Sequence, residues 1–237
     1  MLGRIVSLNL RHGGGRRIAS LTDWLLSKSP SAVIATEWRN NAPGQHLRNR
    51  LTLNGLESIL ASPATPQMNT VLLAARGTVS SKAATPLNSP VGELVSISMV
   101  DGVSILGCYF PQRMAKSPFF RRCIEMAASN SHRPFVMIGD LNTGRNDLDI
   151  EGNGVPFHCA DQFAALHEQG GLVDLWRLRH GERRDWTWRS ARNGFRIDHA
   201  FGNQAFINRF PNFRCEIDHQ PRVTELTDHS AIILDLE

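Results

Sequence analysis

Cysteine is sparse in this chain. Four cysteines are spread over 237 residues, at positions 108, 123, 159 and 215, and no two have Cys-x-x-Cys spacing. Structural zinc sites draw on closely spaced ligands and disulfide scaffolds are dense in cysteine, so both readings are disfavoured. Free thiols in a reducing cytoplasm are the expectation. Long apolar runs are also lacking, since nothing approaches the roughly 20 residues a membrane helix needs. The opening Met1-Leu-Gly-Arg-Ile-Val6 goes directly into strand-like sequence, without the basic-then-apolar order of a signal peptide. A cytoplasmic protein with no membrane contact is therefore expected. No internal repeat, low-complexity tract or linker interrupts the chain, which predicts a single domain over residues 1–237. With 41% hydrophobic residues, that domain has enough apolar material for one substantial core. Excess charge is small, 26 Lys+Arg against 22 Asp+Glu for a net +4, which favours anionic partners without identifying one.

What the chain does have is a set of short apolar runs with polar residues at their ends. Phe135-Val-Met-Ile138 is followed by Gly139-Asp-Leu-Asn142, a buried strand that runs into a carboxylate and an amide. Asp140 and Asn142, two residues apart, would point to one side if the extended backbone persisted that far. Without a partner their burial would be costly, so a cleft holding a cation or a phosphate is expected there. Turn chemistry explains an Asp and an Asn at a strand end equally well when this segment is taken alone. The same pattern recurs with Asn9 after Arg4-Ile-Val-Ser-Leu8, Glu37 after Ala32-Val-Ile-Ala-Thr36, and Tyr109 after Val103-Ser-Ile-Leu-Gly-Cys108. It recurs again in Phe195-Arg-Ile-Asp198 and in Asp228-His-Ser230 ahead of Ala231-Ile-Ile-Leu-Asp-Leu236. Six repetitions are hard to assign to chance.

Between these runs, Arg16 to Lys28 has the apolar spacing of an amphipathic helix, through Ile18, Leu21, Trp24 and Leu25. Further helices are predicted over 42–54, 119–129 and 162–169, and strands over 57–60, 71–75 and 93–100, with a hairpin turn at Asp101-Gly102. Ser62 to Thr70 and Ser80 to Pro90 read as loops or edges. Hairpins mixed with strand–helix units predict an α/β protein with mixed rather than purely parallel sheets. Most arginine pairs read as solvated surface. Around Trp186 and Trp188 they interleave with aromatics, a mixture suited to nucleotides or phosphates.

Asn9, Glu37, Gly107-Cys-Tyr-Phe-Pro-Gln112, Gly139-Asp-Leu-Asn142, Arg196-Ile-Asp198 and Asp228-His-Ser230 together resemble the ordered signature of the endonuclease/exonuclease/phosphatase superfamily. More narrowly, the chain is similar to the bacterial exonuclease III and abasic-site endonuclease branch, from Arg4 to Leu236. The resemblance implies a four-layer α/β sandwich, two packed mixed sheets flanked by helices. It implies a divalent-metal-dependent phosphodiester hydrolase, a DNA nuclease of abasic-site, 3′-exonuclease or less specific endonuclease type. Mg²⁺ is the implied cofactor, with Mn²⁺ as a substitute, and DNA the implied partner; no obligate protein partner is evident. Carried over residue by residue, Glu37, Asn9 and Asp228 match metal-side positions. Asp140 matches the residue that orients or deprotonates water, and Asn142 the one that holds water and phosphate beside it. His229 matches the imidazole on the phosphate and Asp198 its carboxylate partner. Tyr109 matches a hydroxyl near the phosphate or leaving group. Trp188 and Phe195 match an aromatic sugar pocket, with Arg189 where an aromatic is usual and Trp186 close by.

Departures exist. Asn9 is followed by Leu-Arg-His-Gly-Gly-Gly15, Glu37 by Trp38-Arg39, and the segment from Asp149 to Gly171 is short for exonuclease III. Loops of that kind grip duplex DNA. Two alternatives thus stand beside the nuclease: a phosphodiesterase or phosphatase for small molecules or lipid head groups, and a non-catalytic binding module.

Overall fold

The computed structural model of the chain describes residues 2–63, 65–85 and 92–237. Its first two apolar runs form β1 (Arg4–Asn9) and β2 (Ala32–Trp38), which pair in parallel across helix α1 (Ile18–Ser27). The predicted stripe of α1 is buried, with Ile18, Leu21, Trp24 and Leu25 facing inward. Helix α2 (Ala42–Leu53) begins where the Asn41 side chain accepts the Gly44 N–H at 3.1 Å, with Pro43 in its first turn. Strands β3 (Ser58–Ala61) and β4 (Thr70–Ala75) then extend the sheet in antiparallel fashion.

The second sheet starts with a meander of β5 (Val79–Thr85), β6 (Glu93–Met99) and β7 (Ser104–Tyr109), the last two joined by the expected Asp101-Gly102 turn. The expected edge over Ser80 to Pro90 is thus a strand as far as Thr85, and residues 86–90 lie outside the described residues. Helix α3 (Ser117–Ser129) leads to β8 (Phe135–Asp140), parallel to β7. Helix α4 (Ala160–Glu168), the two-residue β9 (Val173–Asp174) and α5 (Leu175–His180) follow. A small ribbon of β10 (Trp188–Arg189) and β11 (Gly194–Phe195) precedes β12 (Asp198–Gly202), antiparallel to β8. After α6 (Gln204–Arg209) the chain returns to the first sheet through β13 (Arg214–Asp218), α7 (Gln220–Val223) and β14 (Ala231–Asp235). The resulting six-stranded sheets run β13-β14-β1-β2-β4-β3 and β5-β6-β7-β8-β12-β9, each mixed as expected.

Strand alternation divides the core into three apolar clusters, which define four layers. Between the sheets lie Ile5, Ile34, Leu73, Val95, Ile105, Ile138 and Ile232. On the outer face of the first sheet, Val6, Leu8, Val33 and Leu72 meet Leu21 and Trp24 of α1 and Leu47 of α2. The outer face of the second sheet sets Leu106, Phe135 and Met137 against Phe119 and Phe120 of α3 and Phe163 of α4. All four cysteines are free thiols; three are buried and Cys159 is half-buried.

Candidate active site

Strand direction gathers the polar ends. β1, β7 and β8 end at one edge of the sandwich in Asn9, Tyr109 and Asp140, and β2 brings Glu37 there one residue before its end at Trp38. The antiparallel strands β12 and β14 begin at that same edge, with Asp198 and with His229 just ahead of Ala231. Asp198 and Asp140 are register partners, and so are Tyr109 and Asp140. Gly139 makes the close approach possible, because a Cβ there would lie 2.0 Å from the Cys108 carbonyl oxygen.

At the centre, His229 Nδ1 and Asp198 Oδ2 are 2.8 Å apart, both side chains buried. Burial alone would lower the affinity of the imidazole for its proton. The negative charge and hydrogen bond of Asp198 outweigh this and, helped by Asp140 and Asp228, hold its pKa up at about 9. Asp140 is also buried. Desolvation and then the like charge of Asp198 push its carboxyl up to about 7, against the pull of His229 and hydrogen bonds from the Asn142 N–H and the Asn9 side chain. Those two bonds measure 2.9 Å each. Ligand-type atoms of Asp140, Asp198 and His229 lie within 4.8 Å of one another. Asp198 holds the His229 imidazole protonated, a form with no free lone pair for a metal, so we read this group as an Asp–His pair beside a carboxylate rather than as a histidine-ligated metal centre.

Glu37 stands beside that centre in a strained backbone. Its φ of 53° is left-handed for a non-glycine residue, and the β2–β4 register shifts between Thr36 and Trp38. Such a bulge re-aims the side chain out of the strand alternation. The carboxylate accepts from the His12 N–H at 2.6 Å and from Asn69 Nδ2 at 3.0 Å, with Asn9 Nδ2 at 3.3 Å and the Tyr109 hydroxyl at 3.5 Å. Burial, then the negative charges of Glu37 and Asp140, hold the Tyr109 hydroxyl firmly protonated. Asp228 accepts from Trp188 Nε1 at 3.3 Å and lies 3.9 Å from Arg11 Nε. Glu37, Asp140, Asp198 and Asp228 thus bring four carboxylates to a centre whose histidine supplies one positive charge. This excess of hard oxygen donors fits a divalent cation of the Mg²⁺ or Mn²⁺ kind, which Glu37 and Asp228 could hold; Asn9 turns its Nδ2 toward Glu37 and Asp140, while its amide oxygen accepts the Arg11 N–H at 2.8 Å.

Asn142 corrects one expectation. Its backbone is left-handed (φ 50°), so the extended run ends before it. The side chain instead donates to the Phe110 carbonyl at 2.8 Å and stays 3.5 Å from Asp140 Oδ2. It borders a pocket of about 210 Å³ walled by Trp188, Phe195, Phe157 and Ile197. Trp188 and Phe195 therefore do come together beside the centre. Trp186 and Arg189 do not enter this pocket: Gly194 packs so closely on the Trp186 ring that a Cβ would lie 2.4 Å from its Cγ, and Arg189 pairs with Glu151 at 2.6 Å.

Sequence reasoning missed two contributors. Lys116 is buried against the Asn142 carbonyl, to which its Nζ donates, and burial lowers its pKa to about 8. Thr187, also buried, accepts the N–H groups of Ile197 and Asp198 at 3.0 and 3.1 Å and so fixes the start of β12. Its place between Trp186 and Trp188 was the only signal for it. Nothing in Arg113-Met-Ala-Lys116 distinguishes the lysine from a surface residue. His199 and His219 play structural parts, with His199 Nε2 2.8 Å from the Thr143 carbonyl and His219 Nδ1 2.9 Å from Ser230 Oγ.

No family model matches the chain, and no curated protein matches it significantly. Solved structures do. A 3′ phosphatase NExo variant from Neisseria bound to a product DNA hairpin superposes with a TM-score of 0.83 at 17% identity, covering 99% of both chains. The 3′-5′ exonuclease NExo from Neisseria meningitidis gives 0.81 at 18% identity, again over 99% of both. An AP endonuclease from Archaeoglobus fulgidus gives 0.82 at 18% identity over 100% of both. At these identities the likeness establishes a shared fold, the sandwich of two mixed sheets flanked by helices.

Proposed function

We propose that the chain is a divalent-metal-dependent phosphodiester hydrolase that acts on DNA, as an abasic-site endonuclease, a 3′ exonuclease or a less specific nuclease. The observation that carries this reading is the buried Asp198–His229 pair facing Asp140, with the Glu37 carboxylate beside it. Asp198 keeps His229 protonated, so the imidazolium faces a phosphate oxygen as a fixed donor in a site shielded from water. Asp140, anchored by Asn9 and by the Asn142 N–H, accepts the proton of an attacking water; its raised pKa suits a base working near neutral pH. Asn142 keeps that carboxylate aimed, and Tyr109 offers a hydroxyl on the Glu37 side. Trp188 and Phe195 give one sugar or base an aromatic wall. A bound Mg²⁺ would neutralise charge on the phosphate and its leaving oxygen. Glu37 and Asp228 are the residues that would hold it.

The test uses labelled duplexes that are intact, nicked, recessed at the 3′ end, or carry one tetrahydrofuran abasic analogue, each with Mg²⁺, Mn²⁺ or EDTA. Metal-dependent incision at the analogue assigns abasic-site cleavage, and trimming of the recessed end assigns exonuclease action. If every DNA and RNA substrate stayed intact while a small phosphodiester was hydrolysed, the nuclease reading would be wrong.

A further inference from the structure

A second cleft, of about 460 Å³, opens beside Asp228 and is lined by Arg11, Arg189, Arg222, Glu225, Thr227 and Asp228. Three guanidiniums share the cleft with two carboxylates, Glu225 and Asp228, and none of the three makes a close ion pair within it. Arg189 has Glu151, but the nearest carboxylate to Arg11 is Asp228, at 3.9 Å, a candidate metal-side group. Arg222 has no carboxylate within 4.0 Å among the described residues. Its Nε donates to Ser230 Oγ at 3.0 Å, and its Nη2 lies 3.3 Å from His219 Nδ1. Burial first, and then the charge of Arg189, lower its affinity for its proton. A half-buried guanidinium beside two others contributes little to stability; an anion bound among them would complete it.

The strand β10 relates this cleft to the first pocket. Successive residues of a strand face opposite ways. Trp188 lines the aromatic pocket and Arg189 the arginine cleft. Trp188 also donates to Asp228 and forms a β-bridge with His229, so the reaction centre lies between the two.

We propose that the arginine cleft is a second anion subsite, taking the phosphate one nucleotide away from the bond that is cut. The inference rests on the nuclease reading above and deepens it: productive binding needs a second phosphate along the same strand, next to the bond that is cut. A lone small phosphodiester fills the centre and leaves the cleft empty.

The experiment compares wild type, Arg222→Gln and Arg222→Lys on a trinucleotide with two phosphodiesters and on bis(4-nitrophenyl) phosphate, which has one. For Arg222→Gln, kcat/KM on the trinucleotide should fall about 10-fold, mainly through KM, with partial recovery in Arg222→Lys. Turnover of the one-phosphate ester should stay within about twofold. In parallel, anisotropy of a labelled single-stranded oligonucleotide is measured in EDTA, in an Asp140→Asn background with and without Arg222→Gln. Loss of one phosphate contact should reduce the slope of log K against log salt by about 0.7. Equal losses on both substrates, or an unchanged salt slope, overturn the subsite. If wild type hydrolyses no phosphodiester at all, the hydrolase reading fails and the anisotropy arm still decides the cleft.

Discussion

Two buried groups of ionisable side chains sit on either side of Ile197, and they are built from the same parts to opposite ends. Asp198, His229 and Asp140 form one. The other gathers Arg196, Asp149, Asp174 and Arg177. Arg196, its side chain 0% exposed, donates to Asp149 at 2.8 and 3.2 Å and to Asp174 at 2.6 and 3.3 Å. Arg177 donates to Asp149 from the other side, and the Arg196 guanidinium lies 5.0 Å from the centre of the Trp176 ring. Here two cations match two carboxylates. Burial would raise both acids, but Arg196 and then His199 hold Asp149 and Asp174 below the usual carboxylate range. In the first group carboxylates outnumber cations, and the Asp140 pKa moves the other way. Charge balance separates a cluster that fixes structure from one left open to a ligand and a proton.

The sharpest way to break this comparison is Asp140→Asn, which keeps shape while removing both the proposed base and the like charge facing Asp198. Turnover should fall on the order of 10²–10⁴-fold. Thermal stability should hold or rise slightly, because a repulsive buried carboxylate has gone. Near-normal turnover would remove Asp140 from the mechanism. Arg196→Met is the mirror experiment. It strands two buried acids, and urea unfolding should report a loss of about 3–5 kcal/mol. A variant as stable as wild type would mean that the network contributes nothing net. Glu37→Gln sharpens the metal side: it keeps the hydrogen bonds accepted by the side-chain oxygen but halves the acceptors and removes the charge. The Mg²⁺ concentration for half-maximal activity should rise about 10-fold or more, with kcat recovered at saturation. An unchanged requirement would place the ion elsewhere.

How far the sequence disclosed these clusters differs in the same way. Asp140, Glu37 and Asn9 were legible because each follows a short, largely apolar run, and a polar residue at such a place needs a reason. The four layers were legible as a resemblance, and α1 and α3 as patterns. Arg196 was not legible as a core residue: within Gly194-Phe-Arg-Ile-Asp198 it reads as an alternating strand position. Its partners Asp174 and Asp149 are 22 and 47 residues away, fixed only by tertiary packing. The expected strand there proved to be two, β11 ending at Phe195 and β12 starting at Asp198, because Arg196 turns inward between them. The bend at Asn142 was hidden for a related reason. Its left-handed backbone answers to the Phe110 carbonyl and to Lys116, neither of which is local.

The balanced cluster also makes the stability of the fold depend on pH. Asp149 and Asp174 are held below their ordinary values in the fold, so their contribution to stability is complete above the unfolded carboxylate pKa near 4. As pH falls below that value the unfolded chain takes up protons first, and the contribution is progressively lost. Unfolding free energy from urea titrations should therefore fall with acid by up to about 1.4 kcal/mol per pH unit for each of the two carboxylates. Arg196→Met should lose this part of the slope while keeping whatever the surface acids supply, because without the guanidinium the buried acids no longer hold off their protons. Equal slopes in the two proteins would mean that the acid sensitivity arises at other carboxylates, and that the pairing of Arg196 with Asp149 and Asp174 is one of geometry without a matching electrostatic gain.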